Sequence, residues 1–480
     1  MIRFVTSRHS VCFLSLCFLC VLQIGKSATG SDPGWQVGLA RVRITPNRPV
    51  VLLGYSNREG PFESVAADIW AKAMALEDGA GNRAVIVTTD LVGIQAVIGE
   101  PVCKRIREKT GLDRSQIVLN ASHNHTGPLV SLDPRLGGND GHPALSPADQ
   151  EQTVAYTRQL QDQLVDVVLH ALGNLEPARI AWGQGEVGFP FNRRTVLADR
   201  VIMRANPDAP VDRTVPVLRV DTPEGELKAI LFGCACHNTT LTDAHNLIAG
   251  DYAGFAQTHI EQQHPSAQAM FISGCGADAN PHPRGTMEQA KIHGRILGAE
   301  VCRVIEQPLD VVVGPLATEY AQVDLPLKRL SQAEIESYTT LPSTEASMAK
   351  QMLKVLAQGK NLPISYAAPL AVWQFGDRLT LVALPAEPVA DYVTLLRDAL
   401  GPEKLWIAGY NNDCFGYLPS TRIVNEGGHE AIGITLWIWG KNLSTHIGFF
   451  SRDVQEVVVR SVRELAERAG RTLPNDHESR

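Results

Sequence analysis

Short apolar runs alternate with longer stretches of helical periodicity from about residue 34 nearly to the end of the chain. Ala84-Val85-Ile86-Val87-Thr88-Thr89 and Ile117-Val118-Leu119-Asn120 carry apolar side chains at consecutive positions, the pattern of strands buried on both faces. Between them, Pro101 to Thr110 predicts a helix stopped by Gly111. Ser146-Pro147 opens a long helix through Leu172, with proline in the first turn and Gly173-Asn174 as its stop. Strands follow at Ala178 to Trp182, Val215 to Val220 and Ala229 to Phe232. Ser331 and Glu334 have the spacing of a capping box for a further helix. Leu379 to Leu384 predicts a strand feeding Pro385-Ala386-Glu387, and Asp453 to Ala469 a closing amphipathic helix with Val457, Val458, Val462 and Leu465 on one side.

This alternation predicts an α/β or α+β fold: one large domain over residues 34–472, with central mixed sheets flanked by helices. No repeat, low-complexity tract or linker divides it, and residues 473–480 read as a polar, disordered tail. At the other end, Arg3 and Arg8 precede an apolar run from Val11 to Ile24, and the small residues Ser27, Ala28 and Gly30 follow. That order is the order of a cleaved signal peptide, assigned to residues 1–28, and the run is shorter than the roughly 20 residues a bilayer crossing needs. The expected mature protein is therefore exported: secreted, periplasmic or at the cell surface.

Composition narrows the partners. A chain of 480 residues, 44% hydrophobic, with net charge −7 and no stripe of Lys and Arg, is a globular protein that does not bind nucleic acid. Three of nine cysteines fall in the signal peptide, leaving Cys103, Cys234, Cys236, Cys275, Cys302 and Cys414. Six in an oxidising compartment permit disulfides, but they are too sparse to build the fold.

Two histidine segments carry candidate chemistry. In Asn120-Ala121-Ser122-His123-Asn124-His125-Thr126-Gly127-Pro128 a buried strand runs out into a loop, and in extended backbone residues two apart face the same way. Both imidazoles can then converge, one binding a metal and the other serving reacting groups beside it. In Phe232-Gly233-Cys234-Ala235-Cys236-His237 another apolar strand ends in a histidine, and if the strand persists to His237 both sulfurs face away from the imidazole. His237 is then the ligand, with the cysteines buried or disulfide-linked. Glu387 ends a third strand and reads either as a ligand or as a first-turn glutamate favoured by a helix dipole. Tyr417 lies in the aromatic, amide-rich segment from Tyr410 to Pro419, which chemistry alone does not select. Asp251, Asp278, Asn280 and Asn192-Arg193-Arg194 are further candidates, each equally readable as a turn former or surface charge. Gly-x-Ser-x-Gly, Gly-x-x-x-x-Gly-Lys and His-Glu-x-x-His are absent, which counts against serine hydrolases, phosphate-loop proteins and helix-borne zinc proteases.

Taken in order, these segments resemble the neutral, non-lysosomal ceramidase family of zinc amidases. The resemblance runs from Gly38-Leu39-Ala40-Arg41 through Gly54-Tyr55, Trp70-Ala71-Lys72-Ala73 and Thr89-Asp90. It continues through the histidine pair, Asn192-Arg193, His237, Gly276 to Pro281 and Pro385-Ala386-Glu387 to the Tyr417 segment. It implies Zn2+ held by His123, His237, Glu387 and Tyr417, His125 beside the reacting water, and Arg193 in contact with substrate. Two departures stand out. Where the family has Asp-x-Ser-Pro this chain has Asp278-Ala279-Asn280-Pro281, placing Asn280 at a catalytic serine's position, and the family's C-terminal β-sandwich is not expected here.

The resemblance implies an exported zinc amidohydrolase that cleaves the amide of ceramide or a related N-acyl lipid to a fatty acid and an amine. Two alternatives stand beside it: a zinc hydrolase of the same fold acting on another amide or ester, and a non-catalytic secreted binding protein. The partner is a small-molecule or lipid amide with no obligate protein partner, and transient membrane-surface contact follows only from the family's substrate, since no basic amphipathic helix stands out.

Overall fold

The computed structural model describes residues 34–55, 57–133, 145–198, 200–341, 344–434 and 447–474. The expected signal peptide and most of the expected tail lie outside the described residues.

Strands that are apolar at every position have to be covered on both faces, and this decides the architecture. Side chains of the Arg83–Thr89 strand alternate: Val85 and Val87 pack into one cluster, Ala84 and Ile86 into another. The Leu227–Cys234 strand does the same, with Ile230 and Phe232 on one face and Ala229 and Leu231 on the other. These strands belong to a nine-stranded mixed sheet whose main path runs Gln268–Ser273, Leu227–Cys234, Thr214–Asp221, Glu176–Glu186, Trp35–Arg43, Trp70–Glu77, Arg83–Thr89, Ile117–Ala121. Its two parallel pairs lie at the ends of that path.

Helices Ala96–Thr110 and Pro147–Gly173 cover the outer face of one half of this sheet, and helices Asp251–Gln263 and Met287–Ile305 cover the other half. The opposite face packs onto a second sheet, Leu316–Pro326, Ser365–Phe375, Leu379–Ala383, Leu405–Ala408, through Trp35, Met74, Trp182, Trp373, Leu381 and Trp406. The far side of the second sheet buries against Asp391–Leu400 and Val454–Arg468, the latter through Val454, Val458, Val462 and Leu465. The molecule is thus helices, sheet, sheet, helices, which is the mixed α/β architecture expected from the sequence. No helix among the described residues is long and apolar enough to cross a membrane.

Several local expectations change. The first helix begins at Ala96, five residues before Pro101, because its free N-terminal amides find a distant partner: the Ala96 N–H donates to Asp413 at 2.9 Å. Asn192-Arg193-Arg194 is neither a turn nor a surface charge but part of the strand Pro190–Val196, with all three residues buried. Cys103, Cys234, Cys236, Cys275, Cys302 and Cys414 are all free, so none of them is disulfide-linked.

The terminal strands of the large sheet are brought together by amides. The Ser273 hydroxyl donates to the Ala121 carbonyl at 3.0 Å, and the Ser273 N–H donates to Asn120 Oδ1 at 3.3 Å. Asn120 Nδ2 in turn donates to the Gly409 carbonyl at 2.8 Å and to Asn411 Oδ1 at 3.0 Å, tying in the segment after the last strand of the second sheet. Asn120 is fully buried, so its removal strands polar groups that cannot reach water, at roughly 1–3 kcal/mol each. Asn120→Ala is therefore expected to lower the unfolding free energy by about 2–5 kcal/mol, read as a shift of the urea midpoint; a change within about 0.5 kcal/mol would contradict this tie.

Candidate metal centre

Four strands end at one place. Ile117–Ala121 leads to His123, Leu227–Cys234 to His237, Leu379–Ala383 to Glu387, and Leu405–Ala408 to Tyr410. Parallel pairing of Arg83–Thr89 with Ile117–Ala121, of Leu227–Cys234 with Gln268–Ser273, and of Leu379–Ala383 with Leu405–Ala408 aims these carboxyl ends the same way. Binding sites collect at such ends because the loops leaving them are free to vary while the sheet holds them fixed.

The backbone there is strained. His123, Ala386, Tyr410 and Asn412 all have positive φ (57°, 58°, 59° and 65°) although none is glycine. Each such residue costs on the order of 1–3 kcal/mol and persists only where its surroundings over-determine it. His123 and His125 therefore converge by a left-handed turn, not by the two-residue period of an extended strand, which ends at Ala121. Likewise the Leu227–Cys234 strand stops before His237, so alternation does not orient that imidazole; Cys234 and Cys236 are instead drawn into the apolar cluster under the helices.

The geometry is tight. His123 Nε2 lies 3.0 Å from His125 Nε2 and 3.2 Å from Glu387 Oε2, and His237 Nε2 lies 3.3 Å from the same carboxylate oxygen. The far nitrogens are already committed: His123 Nδ1 is 2.8 Å from the Val92 carbonyl and His237 Nδ1 is 2.9 Å from the Gly276 carbonyl. A carbonyl only accepts, so each Nδ1 carries a proton, which leaves each Nε2 to face Glu387. Burial, followed by the charge of Arg193, lowers the His237 pKa to about 3, so that ring is neutral at pH 7. Burial and the neighbouring His123 and His237 rings put His125 well below its usual range. Burial alone would raise Glu387, but the two imidazoles outweigh it and hold the carboxyl well below the ordinary range.

A carboxylate oxygen facing two imidazole Nε2 atoms, buried and without a hydrogen-bond partner, is a donor set suited to a positive centre. A cation satisfies it. The imidazole-to-carbonyl bonds are the outer contacts that fix the tautomer of metal-binding histidines. Glu387 is outside the first turn of the helix Asp391–Leu400, so the helix-dipole reading does not account for it. It instead starts a two-residue strand paired with Tyr417–Leu418, in register with Tyr417.

Around this cluster, Arg193 reaches three groups. Its Nη2 donates to the Tyr417 hydroxyl at 3.1 Å, its Nη1 to Asn280 Oδ1 at 3.3 Å, and its Nε to Glu430 Oε1 at 2.8 Å. Asn280 Oδ1 also accepts from the Thr239 hydroxyl at 3.3 Å. Asp278 is a tie, not a surface charge: it accepts from the Ala390 N–H at 2.8 Å and from Asn192 Nδ2 at 2.9 Å. Asp251 is a helix-start residue accepting from the Leu241 and Tyr252 amides. The structure thus brings all seven candidates, His123, His125, Arg193, His237, Asn280, Glu387 and Tyr417, into one connected region.

Four groups escaped sequence reasoning. Tyr410 packs its ring 4.6 Å from that of His123, and Cys414 offers a thiol within 4.8 Å of ligand atoms of His123 and Glu387. Burial pushes that thiol well above its usual pKa, which keeps it protonated. Gly54 (φ 110°) leaves room for His125, since a Cβ there would meet the imidazole at 2.5 Å. Glu430, finally, is buried between Arg193 and Arg194. Gly54 had a sequence signal in the Gly54-Tyr55 segment, and Tyr410 and Cys414 lie in the Tyr410 to Pro419 segment, whereas nothing in the sequence pointed to Glu430.

Fold and site together define a mixed α/β protein with a buried histidine and carboxylate centre, at strand ends, suited to a cation. Residues 35–290 match the family described as neutral/alkaline non-lysosomal ceramidase, N-terminal, and the chain belongs to that family. It is 29% identical over 275 residues to a neutral ceramidase of Pseudomonas aeruginosa, covering 54% of this chain and 38% of that protein. Neutral ceramidase A of Dictyostelium discoideum is 26% identical over 272 residues, 53% of this chain and 37% of that protein. The chain thus spans well under half the length of these relatives in the matched regions. The crystal structure of the Pseudomonas aeruginosa neutral ceramidase superimposes with a TM-score of 0.66 at 20% identity over 92% of this chain and 77% of that one, showing the same fold. A structure of ceramidase complexed with C2 gives 0.67 at 19% identity.

The buried Glu430 makes acid stability testable. Burial would raise its pKa, but Arg193 and Arg194 overcome that and bring it down to about 2. A depressed carboxyl contributes stability above its unfolded value, roughly 4.3, and loses it as pH falls toward the folded value. Glu430→Gln is expected to cost about 3–5 kcal/mol at pH 7, and its deficit in melting temperature relative to wild type should narrow as pH falls from about 4.5 toward 2. A deficit that stays constant over that range would contradict the ion pair's role.

Proposed function

We propose that this chain is a zinc-dependent hydrolase that cleaves the amide bond of ceramide or a related N-acyl lipid, acting after export from the cytoplasm. The observation that carries the reading is the convergence of two imidazole Nε2 atoms on a buried carboxylate whose Oε2 has no hydrogen-bond partner. Membership of the ceramidase family supports the choice of bond.

His123, His237 and Glu387 would hold the zinc, with Tyr417 completing the set. When bound, zinc supplies Lewis acidity that polarises a carbonyl and lowers the pKa of water to about 7. The remaining tasks fall to the chain's own groups. His125 is neutral at pH 7 and its Nε2 lies inside the cluster, 3.0 Å from His123 Nε2, so this imidazole is placed to take a proton and deliver it to the departing amine. Burial keeps the Tyr417 phenol protonated, and Arg193 orients it by donating to its oxygen. The phenol can then donate toward an oxyanion, a contact typically worth about 3 kcal/mol. Asn280 spends its Oδ1 on Arg193 and Thr239, which leaves its Nδ2 available as a donor at the position where the family resemblance places a serine hydroxyl.

That exchange favours a second reading, a hydrolase of the same architecture for a different amide or ester. Product analysis on a panel of amides and esters separates the two, and metal without turnover on any of them would favour a binding protein.

Purified protein is expected to contain about one zinc per chain and to release fatty acid from a fluorescent ceramide until a chelator is added. His123→Ala and His237→Ala should lose both metal and turnover. His125→Gln should retain metal while turnover falls by about 10²–10⁴. Full zinc content in both ligand variants would sink the assignment.

A further inference from the structure

Beside the centre, the hairpin of Pro190–Val196 and Val201–Asn206 packs along the short strand Ala279–Pro281, and a cleft of about 190 Å³ opens there. Arg193 and Asn280 form the end of this cleft nearest the metal centre, since Arg193 also bonds Tyr417. The other walls include Phe191, Arg204, His282 and Arg284, and no lining side chain is a carboxylate.

The charge balance here is one-sided. Arg193 shares Glu430 with Arg194, which also pairs with Glu426, so those two guanidinium groups are matched by two carboxylates. Arg204 and Arg284 enter no ion pair among the described residues. Arg284 donates to neutral acceptors, the Thr239 carbonyl and the Tyr55 hydroxyl, each at 2.7 Å. The buried Asp251, whose charge Arg284 favours, spends its carboxylate on the Leu241 and Tyr252 amides. Arg204 therefore faces a small cleft without a counter-charge, and Arg284, whose charge is coupled to Asp251, directs its hydrogen bonds only to neutral acceptors, on a chain whose net charge is −7. A concave site lined by one sign of charge focuses its field on ions of the other sign, and guanidinium is the side chain best shaped for carboxylate and phosphate oxygens.

Size limits the occupant. A cleft of about 190 Å³ suffices for a carboxylate or phosphate on a short stem.

We propose that this cleft receives an anionic head group, a carboxylate or phosphate, which the substrate carries close to its scissile amide. The inference rests on the hydrolase reading above and refines its substrate class from a neutral N-acyl lipid to one charged beside the amide.

The test uses two matched pairs at equal acyl length on the zinc-loaded protein: N-lauroylglycine against N-lauroylethanolamine, and ceramide 1-phosphate against ceramide. One member of at least one pair, the anionic one, is expected to show a kcat/KM about tenfold or more above its neutral partner, and the pair that shows it identifies the anion. Arg204→Gln should cut that ratio several-fold, and Arg204→Lys should restore part of it. Turnover with no preference in either pair would overturn the anion cleft while leaving the hydrolase standing. Turnover of none of the four would overturn the hydrolase reading instead. Calorimetric titration with the preferred anionic member, N-lauroylglycine or ceramide 1-phosphate, then decides the cleft by itself: binding that Arg204→Glu abolishes supports it, and binding that Arg204→Glu leaves unchanged overturns it.

Discussion

Glu387 holds an ionised carboxylate in the interior, between two histidine rings whose protons are turned away toward the Val92 and Gly276 carbonyls. An uncompensated charge in such a place costs several kcal/mol, and no hydrogen-bond donor among the described residues reaches Oε2. The need for a positive centre at that oxygen is the constraint around which the rest is arranged. It explains why four strand ends from two sheets meet at one point, and why four non-glycine residues around it are held in left-handed backbone. Strain of that kind lasts only where a rigid surround supports it, and the buried amides of Asn120 and Asn411 supply part of that support by tying both sheets to the site.

The positive side of the site is equally well anchored. Arg193 is fixed by Glu430 and presents its remaining donors to Tyr417 and Asn280, so one guanidinium links the histidine and carboxylate cluster to the basic cleft. Neither arginine of the Arg193-Arg194 pair is free to swing into solvent, because Glu430 binds both and Asp278 pins the neighbouring Asn192. The pocket chemistry is thereby preset in the protein.

Much of the fold was legible because its strands are apolar on both faces. A run such as Ala84 to Val87 demands cover on each side, and two stacked sheets with outer helices provide it. Caps built from neighbouring residues were legible too: Ser331 and Glu334 form their capping box, and Ser146 accepts from Asp149 ahead of Pro147. The start of the first helix was not, because its partner Asp413 lies more than 300 residues away in sequence. In the site, His123, His237 and Glu387 could be picked out because each follows a strand. The left-handed turn that joins His123 to His125, the end of a strand before His237, and the burial of Glu430 arise from tertiary contacts that local patterns do not encode.

The central claim is that this convergence of side chains is a zinc site built from nitrogen and oxygen donors. X-ray absorption at the zinc edge of the purified protein tests it most directly. The account predicts a first shell of nitrogen and oxygen at about 2.0–2.1 Å with the multiple scattering of imidazole rings. A sulfur shell at about 2.3 Å, which would make Cys414 a ligand, or a protein that takes up no zinc when it is supplied, would contradict it.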